Sequence, residues 1–487
     1  MTGAAPGSPA PGGDAAPGLR PSRPRLGVVA DDYTGAVDVA ATLREAGARV
    51  ELHLGVPPPD RAWRGGDVAV VGLKTRSVEA GAAAGRSAAA AGWLLGVGAS
   101  QLFQKYSSTF DSTDAGNIGP VADALCAEVR RRGGSEPAVV LFCPAVPRYG
   151  RTVYQGHLFV GDRLVSEAAG DHPLTPRTDA DLVRRLARQT RVSVGLLPHQ
   201  ALTGGAEGAR ATLERLAASG VRYVVADAVD DADLAVLGEV ARAHPLVTGA
   251  AGLATALLAG VLPGPAAPAT SAVHRGHRSG APPGEHLPAE HLPAEHLSAE
   301  YPPPDLPGAL LAGSCTAETL EQVRRFEARW PVLRFRPSEV AAGRDVLAEA
   351  RRLAADHLGG GPVGVVASAP PDVVRTEQQA LGRDRAAELV ERTLGEVAEA
   401  LVALGVRRLV TAGGETSGAV VERCRITHGT VGAAEAPGVA WLRVGDVVPA
   451  EGAPAEATPE DGTLWVLLKS GPLGDADVLV RALAPAA

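Results

Sequence analysis

Short apolar runs alternate along most of the chain with longer stretches in which apolar positions recur at a helical period. Uninterrupted apolar runs are typical of strands that are buried on both faces of a parallel sheet. Because helical stretches separate the runs, the pattern predicts an α/β fold in which a mainly parallel sheet is flanked by helices. The first runs are LGVVA (26–30), DVAVVGL (67–73), QLFQKYS (101–107), AVVLFCP (138–144), VSVGLL (192–197) and YVVADA (223–228).

One segment departs from this alternation. Residues 151–167 contain two runs in which apolar and polar positions alternate, one on each side of Gly161-Asp162. A glycine-containing pair between two such runs is typical of a tight turn between antiparallel strands. We therefore expect a β-hairpin here that is added to the sheet.

A second series of apolar runs follows a segment of different composition. Residues 261–307 are rich in Pro, His, Glu and Gly and contain EHLPA, EHLPA and EHLSA in tandem, which predicts a low-complexity linker. Its histidines could hold a transition metal, or the segment could be a solvated spacer. The later runs are GALLAGS (308–314), VLRF (332–335), VGVVAS (363–368), RLVTAGG (408–414) and TLWVLLKSG (463–471).

These patterns predict two α/β lobes. Residues 1–24 are rich in Pro, Gly and Ala and predict a disordered tail. We expect an N-terminal domain at 25–260 and a C-terminal domain at 308–487, each long enough to bury its own core. Ligands of open parallel sheets bind beyond the carboxyl ends of the strands. The active site is therefore expected in the cleft between the lobes.

Composition narrows the class of function. The 487 residues carry 47 basic and 55 acidic side chains, and the net charge of −8 argues against nucleic acid or an anionic membrane as the main partner. The four cysteines form no CxxC pair, which is typical of reduced thiols. The sequence shows neither a signal-peptide core nor about 18 consecutive apolar residues. We expect a soluble cytoplasmic protein that binds small molecules; its oligomeric state stays open, a homodimer included.

Two carboxylates follow the first apolar run. Asp31 and Asp32 come directly after residues 26–30, and Thr34-Gly35 opens the next helix. Paired carboxylates at this place can orient a substrate hydroxyl, accept its proton or hold Mg²⁺ through water. One of them could instead be only the N-cap of the helix. We take the pair as the candidate catalytic residues.

The next run ends in LKTRS (73–77). The fork of Arg76 matches a carboxylate and makes it a candidate anchor for an acid, although a surface ion pair is the alternative. Lys74 is one of only three lysines in a chain whose other basic residues are arginines and histidines. Ser77 is predicted to be the N-cap of the following helix.

The segment KYSSTFDSTDAGNIGP (105–120) is dense in hydroxyl groups. Many short polar groups after a buried strand suit a polyhydroxylated ligand, while Thr113 or Asp114 is predicted to cap the next helix. In CPAVPRYGR (143–151), the arginines could bind an anion or could be solvated. The predicted substrate-binding residues of the lobe are Arg76, Lys105, Ser107, Thr109, Asp111 and Arg151.

Three small-residue turns follow apolar runs of the second lobe: GSCTAET (313–319), TAGGETSG (411–418) and LKSGPLG (468–474). Glycines let a phosphate approach the backbone, and a helix N-terminus offers free N–H groups to it. None of the turns is a GxGxxG or a Walker A motif, so the P-loop interpretation is excluded. Three such turns at one edge of a sheet would form a nucleotide site.

Together these strings resemble the four-carbon acid sugar kinases. The resemblance spans about residues 25–258 and 306–483, and KYSSTFDST and GRTVYQGHLF are most similar to the family members that act on 3-oxo-tetronate. It implies that the N-terminal lobe binds an acid sugar, that the C-terminal lobe binds ATP with Mg²⁺, and that the terminal 4-hydroxyl is phosphorylated. One departure is TGAAGLA (248–254), where the family has a GGSG-like turn.

The resemblance also implies the roles of individual residues. The acid sugar would meet Asp31, Arg76, the segment Ser107–Asp111 and Arg151, whereas no residue is indicated as a metal ligand. The implied ATP contacts are Ser314, Gly413, Gly414, Glu415, Thr416 and Gly471.

Other functions stay open at this point. D-threonate and D-erythronate differ from 3-oxo-tetronate by one oxidation state or one stereocentre, which a small change in pocket geometry can discriminate. A dinucleotide-dependent oxidoreductase is disfavoured by the missing GxGxxG pattern. A non-catalytic sensor of sugar acids and nucleotides would keep the same two lobes without turnover.

Overall fold

The structure is a computed structural model, and it describes residues 23–134, 137–168, 179–259, 300–445 and 463–485. We refer to residues 23–259 as the N-terminal lobe and to residues 300–485 as the C-terminal lobe. The predicted tail up to residue 22 lies outside the described residues, and so do the EHLPA repeats with their histidines.

A parallel sheet forms the centre of the N-terminal lobe, and a small antiparallel sheet lies beside it. The strands are β1 (Leu26–Ala30), β2 (Val50–Leu54), β3 (Val68–Gly72), β4 (Gln101–Lys105), β5 (Val140–Cys143), β6 (Arg151–Tyr154), β7 (His157–Val160), β8 (Arg163–Leu164), β9 (Val194–Leu197), β10 (Tyr223–Ala226) and β11 (Leu246–Gly249). The parallel sheet has the order β2-β3-β1-β4-β11-β5-β10-β9. All residues of β1 are buried between β3 and β4, which explains its uninterrupted apolar run.

Helices follow most of these strands, as the alternating pattern predicts. They are α1 (Tyr33–Glu45), α2 (Ala80–Gly96), α3 (Ile118–Arg131), α4 (Val165–Ala168), α5 (Leu182–Gln189), α6 (His199–Leu202), α7 (Gly205–Ala218), α8 (Asp231–Ala241) and α9 (Ala251–Leu258). A 3₁₀ turn at Pro147–Tyr149 leads into β6. The candidate chemistry depends on one part of this lobe, the junction at residues 31–32 between β1 and α1.

The hairpin prediction is partly wrong. Gly161-Asp162 does connect two antiparallel strands, β7 and β8, but a second turn at Gln155-Gly156 connects β6 and β7. The three strands form a separate sheet of order β6-β7-β8 and are not added to the main one. The backbones of Gln155 and Gly156 have φ values of 50° and 73°, so both turn residues are in the left-handed conformation. Gln at the first position lacks the Asn-Gly or Asp-Gly signature that marks such a turn in a sequence.

The C-terminal lobe has a mixed sheet. Its strands are β12 (Gly308–Ala312), β13 (Val332–Arg334), β14 (Val363–Val366), β15 (Arg408–Ala412), β16 (His428–Ala436), β17 (Val439–Val444) and β18 (Leu464–Lys469). The first part, β13-β14-β12-β15-β18, is parallel, whereas β18-β17-β16 is antiparallel. The helices are α10 (Ala317–Glu327), α11 (Pro337–Ala341), α12 (Val346–His357), α13 (Pro371–Leu381), α14 (Arg383–Ala403), α15 (Gly414–Arg423) and α16 (Val478–Leu483).

The two sheets meet edge to edge. β2 and β16 pair antiparallel through only two residue pairs, His53 with His428 and Leu52 with Gly429, and this pairing completes a 15-stranded sheet. The sequence pattern revealed neither strand, because VELHL mixes polar and apolar positions and β16 is rich in Gly and Ala. Within the described residues, no helix is both long and apolar enough to span a membrane.

Candidate active site

Parallel neighbours bring three of the predicted site segments together. β1 lies between β3 and β4, so that residues after all three strands share one edge of the sheet. Asp31 connects the segments through its backbone: its N–H donates to the Lys105 carbonyl at 3.0 Å, and its carbonyl accepts from the N–H groups of Thr75 and Arg76. The predicted proximity of Asp31, Arg76 and Lys105 therefore follows from strand order.

Arg76 binds the two candidate catalytic carboxylates. Its Nε and Nη2 donate to Asp31 Oδ2 and Oδ1 at 2.9 and 2.7 Å, and Nη2 also lies 2.8 Å from Asp32 Oδ1. This bidentate contact with Asp31 uses the geometry that was expected to hold a substrate carboxylate. The role of Arg76 as a substrate anchor stays a prediction, whereas its part in orienting the two aspartates is visible.

Asp32 is the N-cap of α1, which one of the two aspartates was expected to be. Its Oδ1 accepts from the Gly35 N–H at 2.8 Å, and its Oδ2 accepts from the Thr34 hydroxyl at 2.6 Å. Both oxygens are thus held in place by the first turn of the helix. Capping and a chemical role do not exclude each other, because Oδ2 accepts, among the described residues, only from Thr34 and keeps a second lone pair, whereas Oδ1 is shared by Gly35 and Arg76.

The two aspartates differ in their electrostatics. Burial raises the pKa of Asp31, and Arg76 offsets only part of this effect. Burial would also raise the pKa of Asp32, but the charges of Arg76 and Lys105 and the hydrogen bonds from Thr34 and Gly35 together hold this pKa below its usual value. Asp32 is therefore the more firmly ionised carboxylate of the pair.

The hydroxyl-rich segment after β4 forms a compact cluster. Ser107 and Thr109 both donate to Asp111 Oδ2, at 2.8 and 2.9 Å. The charge of Asp111 also contributes to the raised pKa of Arg76, which places the cluster beside the aspartates. Phe110 has a φ of 51°, a conformation that is uncommon for an aromatic residue and that marks this turn as strained.

Two predicted helix caps are wrong. Ser77 is not the N-cap of α2, a position that Glu79 occupies; its hydroxyl donates instead to Glu415 of the other lobe at 2.7 Å. The N-cap position of α3 is Asn117, not Thr113 or Asp114. The Asn117 amide makes no capping bond and donates to the carbonyls of residues 75, 76 and 78, which fixes the LKTRS loop.

Asp38, which sequence reasoning missed, lies near Lys105. Asp38 Oδ2 is 3.6 Å from Lys105 Nζ, and burial raises the pKa of this aspartate. A Cβ atom on Gly438, in the turn between β16 and β17, would be 2.8 Å from Asp38 Oδ1 and 3.3 Å from Tyr149 Oη. The only signal in the sequence was the position of Asp38 at the end of ADDYTGAVD. Arg151, at the start of β6, donates to the Tyr149 carbonyl and is thus held beside this tyrosine.

The three small-residue turns of the C-terminal lobe come together. β12, β15 and β18 are neighbours in the sheet, and each ends in one of the turns. The Ser314 N–H donates to the Ala412 carbonyl, and the Gly413 N–H donates to the Lys469 carbonyl. Gly413 has a φ of 124°, which favours glycine, and Gly414 begins α15. The predicted residues Ser314, Gly413–Thr416 and Gly471 therefore lie around one sheet edge.

Lys469 lies beneath these turns. Its side chain is fully buried and donates to the carbonyls of Gly471 and Ser470 at 2.7 and 3.0 Å. Burial lowers the pKa of Lys469 to about 7. From the sequence, no role could be assigned to this lysine beyond its position in a glycine turn. In the structure it is a buried amine that stabilises the turn and has a pKa near neutral pH.

The half-sites of the two lobes meet at one point. A Cβ atom on Gly414 would lie 3.5 Å from Asp32 Oδ2, so the first residue of α15 lies directly against the candidate catalytic carboxylate. A phosphate held at the N-terminus of α15 would be adjacent to Asp32. The arrangement can thus bring an anionic group and a hydroxyl-bearing ligand into contact.

Comparisons with known proteins agree with this division of the chain. Family models described as a sugar-binding N-terminal domain and a nucleotide-binding C-terminal domain match residues 26–257 and 309–479. The sequence is 45% identical to a 3-oxo-tetronate kinase of Methylobacterium radiotolerans, with 94% of this chain and 98% of that protein covered. It is 43% identical to a 3-oxo-tetronate kinase of Burkholderia multivorans, with 95% and 97% covered.

Solved structures have the same fold. A Salmonella typhimurium LT2 protein that was provisionally named a tRNA synthase matches with a TM-score of 0.72 and 34% identity, over 94% of this chain and 98% of that one. A Haemophilus influenzae protein of the DUF1537 family matches with a TM-score of 0.65 and 33% identity, over 94% and 99%. Both matches include both lobes.

Proposed function

This chain belongs to the four-carbon acid sugar kinase family, and we propose that it transfers the γ-phosphoryl group of ATP to the 4-hydroxyl of 3-oxo-tetronate. The oxygen of the hydroxyl forms a bond to the γ-phosphorus, the bond to the β-phosphate bridging oxygen breaks, and ADP and a proton are released. The observation that carries the assignment is the identity of 43 to 45% to 3-oxo-tetronate kinases over nearly the full chain.

The contact between Asp32 and Gly414 supports a direct transfer between the lobes. We propose that Ser314, Gly413–Thr416 and Gly471 bind ATP, with the γ-phosphate at the N-terminus of α15. The acceptor is then bound by the N-terminal lobe, beside Asp32. Phosphoryl transfer requires mainly positioning and charge stabilisation, and a firmly ionised carboxylate suits the orientation of a hydroxyl.

Asp31 and Arg76 have a supporting part in this proposal. Arg76 fixes both aspartates, so that Asp32 faces the nucleotide turn at a defined angle. The hydroxyls of Ser107 and Thr109 and the carboxylate of Asp111 offer partners for the oxygens of a sugar acid, and Lys105 and Arg151 offer positive charge for its carboxylate.

Mg²⁺ fits the site as a companion of the nucleotide. Within the described residues, no cluster of three or more His, Cys, Asp or Glu side chains is arranged to hold a metal, and Mg²⁺ commonly uses one or two carboxylates plus substrate phosphates. Asp32 is the carboxylate that lies against the nucleotide turn and would contribute to holding it. Bound with ATP, Mg²⁺ neutralises charge on the phosphate oxygens. Because ATP is the donor, we propose the cytoplasm as the compartment of the reaction.

The experiment is an ADP-release assay on the purified full chain with Mg-ATP and a panel of C4 acids. The panel contains 3-oxo-tetronate, generated in situ by a dehydrogenase, together with D-threonate and D-erythronate. The position of the new phosphate is determined by NMR of the product. We expect turnover with 3-oxo-tetronate, and phosphate on its C4 oxygen.

Other outcomes separate the alternatives. A higher kcat/KM with D-threonate or D-erythronate would overturn the substrate while keeping the kinase. ATP binding without phosphoryl transfer to any acid would indicate that the protein is a sensor and not a kinase. Nicotinamide-dependent oxidation of an acid would reassign the protein to the oxidoreductases.

A further inference from the structure

Lys74 and Ser77 connect the N-terminal lobe to two helices of the C-terminal lobe. Lys74 Nζ lies 2.6 Å from Glu391 Oε2 on α14, and 3.7 and 3.9 Å from the carboxylates of Glu415 and Glu422 on α15. Ser77 Oγ donates to Glu415 Oε1 at 2.7 Å. A single loop after β3 therefore contacts α14 and the first turn of α15.

The stem of Lys74 lies on the backbone of α15. A Cβ atom on Gly418 would be 2.9 Å from Lys74 Cδ and 3.0 Å from its Cε, so a larger residue at 418 would require the Lys74 side chain to shift. The Lys74 side chain is 22% exposed and Glu391 is 27% exposed. The contact is thus partly shielded from water and packed along its length, unlike an isolated surface ion pair.

The charges in this contact are unequal. Three carboxylates face one ammonium group, and burial raises the pKa of Glu391 even though Lys74 opposes the shift. The carboxylates hold the pKa of Lys74 above its usual value although burial acts the other way. Without Lys74, the carboxylates would repel one another and this part of the lobe contact would lose its ionic attraction. Lys74 is thus the cation that lies within 4 Å of all three carboxylates.

The loop after β3 also contacts the aspartates of the proposed acceptor half-site. Arg76, two residues after Lys74, binds Asp31 and Asp32, and Asn117 fixes the carbonyls of the loop. On the other side, α15 begins with Gly414 at the nucleotide turn. The contacts therefore form a continuous series from Asp31 and Asp32, in the proposed acceptor half-site, to Gly414 at the nucleotide turn.

We propose that Lys74 is a positioning residue for phosphoryl transfer: by binding α14 and α15 it holds Gly414 against Asp32 and aligns the two half-sites. The kinetic part of this proposal rests on the proposed kinase function. The structural part, the alignment of the lobes, does not depend on it.

The test compares variants of the full chain in two measurements. Small-angle X-ray scattering reports the separation of the lobes, and steady-state kinetics report kcat and both KM values. For Lys74→Gln we expect a larger radius of gyration and a kcat that falls about tenfold, with a smaller change in the Kd for ATP. Glu391→Gln weakens the same contact from the other lobe and should act in the same direction. Lys74→Arg keeps the charge and should recover part of the kcat.

The matched control is Arg210→Gln, which removes a 2.7 Å ion pair with Glu239 inside the N-terminal lobe. It should change neither measurement. An unchanged radius of gyration and kcat in Lys74→Gln would overturn the proposal. A rise confined to the KM for ATP would overturn it too, because Lys74 would then bind nucleotide. If the wild-type chain phosphorylates no acid, the scattering measurement still decides the alignment of the lobes.

Discussion

The ammonium group of Lys105 occupies the space above the first turn of α1 that Gly35 leaves free: a Cβ atom on Gly35 would lie 2.6 Å from Lys105 Nζ and would also collide with Asp32 Oδ1. A glycine in the helix thus allows a buried cation to approach the capping carboxylate. The charge of Lys105 in turn helps to keep Asp32 ionised. Two segments that are far apart in sequence, the first turn of α1 and the end of β4, thus depend on one missing side chain.

Gly35→Ala should displace Lys105 or Asp32 and lower kcat/KM for the acid by about tenfold or more, since a small misplacement at a reacting centre is costly. The measurement is steady-state kinetics with 3-oxo-tetronate. Gly85→Ala is the control, because Gly85 lies in α2 with open space around its Cα. It should keep full activity and gain a few tenths of a kcal/mol of stability. Equal activity in both variants would show that the close approach at Gly35 is dispensable.

Asp32→Asn should lower kcat by about 10²–10⁴-fold, because the neutral amide lacks the negative charge that orients the attacking hydroxyl and can take its proton. Asp31→Asn should lower it less, since Asp31 acts through Arg76. Both variants keep the side-chain volume, and circular dichroism checks their folding. Near-normal turnover in both would refute the catalytic assignment, and a larger loss in Asp31→Asn would exchange the two roles.

Arg151→Ala should raise the KM for the acid far more than the KM for ATP, because we propose that Arg151, held beside Tyr149, supplies positive charge for the carboxylate of the acid. Loss of a charge-assisted hydrogen bond costs about 1.5–3 kcal/mol, or roughly ten- to hundredfold in binding. Kinetics with each substrate varied in turn give both values. Equal increases in the two KM values would remove Arg151 from the acceptor site.

Gly471→Ala should weaken ATP binding, since the added Cβ would lie 2.5 Å from Ser314 Oγ and 2.9 Å from Thr316 Cγ2. The turns after β12 and β18 would have to separate, and the Kd for ATP, measured by calorimetry, should rise by about tenfold. Gly359→Ala, which meets no atom within 4 Å, is the matched control in the same lobe. An unchanged Kd in Gly471→Ala would move the nucleotide away from this turn.

The stability of the protein should increase between about pH 7 and pH 10 through Lys469. Burial lowers the pKa of Lys469 to about 7 in the folded chain, whereas an unfolded lysine has a pKa of about 10.4. Between these values the unfolded chain holds a proton that the folded chain has lost, so raising the pH disfavours unfolding. The contribution is at most about 1.4 kcal/mol per pH unit.

Urea denaturation at pH 7, 8 and 9 measures this dependence, and Lys469→Met is the reference because methionine cannot titrate. The wild type should gain stability relative to this variant as the pH rises. Parallel curves for the two proteins would mean that Lys469 stays protonated in its buried position.

Much of this site could be predicted from the sequence, because the carboxyl ends of parallel strands share one edge. That rule located Asp31, Arg76 and Lys105 together without any knowledge of side-chain geometry. It could not predict which groups these side chains bind. The fork of Arg76 suits any carboxylate, and only the structure shows that the aspartates of the chain itself occupy it.

What the sequence did not reveal depends on contacts between distant segments. Asn117 has a residue type that is favoured at a helix N-cap, yet its amide is used by the LKTRS loop. Ser77 also has a residue type that is favoured at a helix N-cap, yet its hydroxyl donates to Glu415 in the other lobe. Local preference could not choose between a nearby cap and a partner that only the tertiary fold supplies.

We expect the pairing of β2 with β16 to limit self-association through these two strands. Each strand is the last of its own sheet on that side, and in the whole chain each covers part of the open edge of the other. A lobe that was expressed alone would present unpaired N–H and C=O groups along this edge, and strands of that kind recruit further copies of themselves. The seam of two residue pairs is thus small as a source of binding energy but sufficient to blunt two aggregation-prone edges in a chain that holds both lobes together.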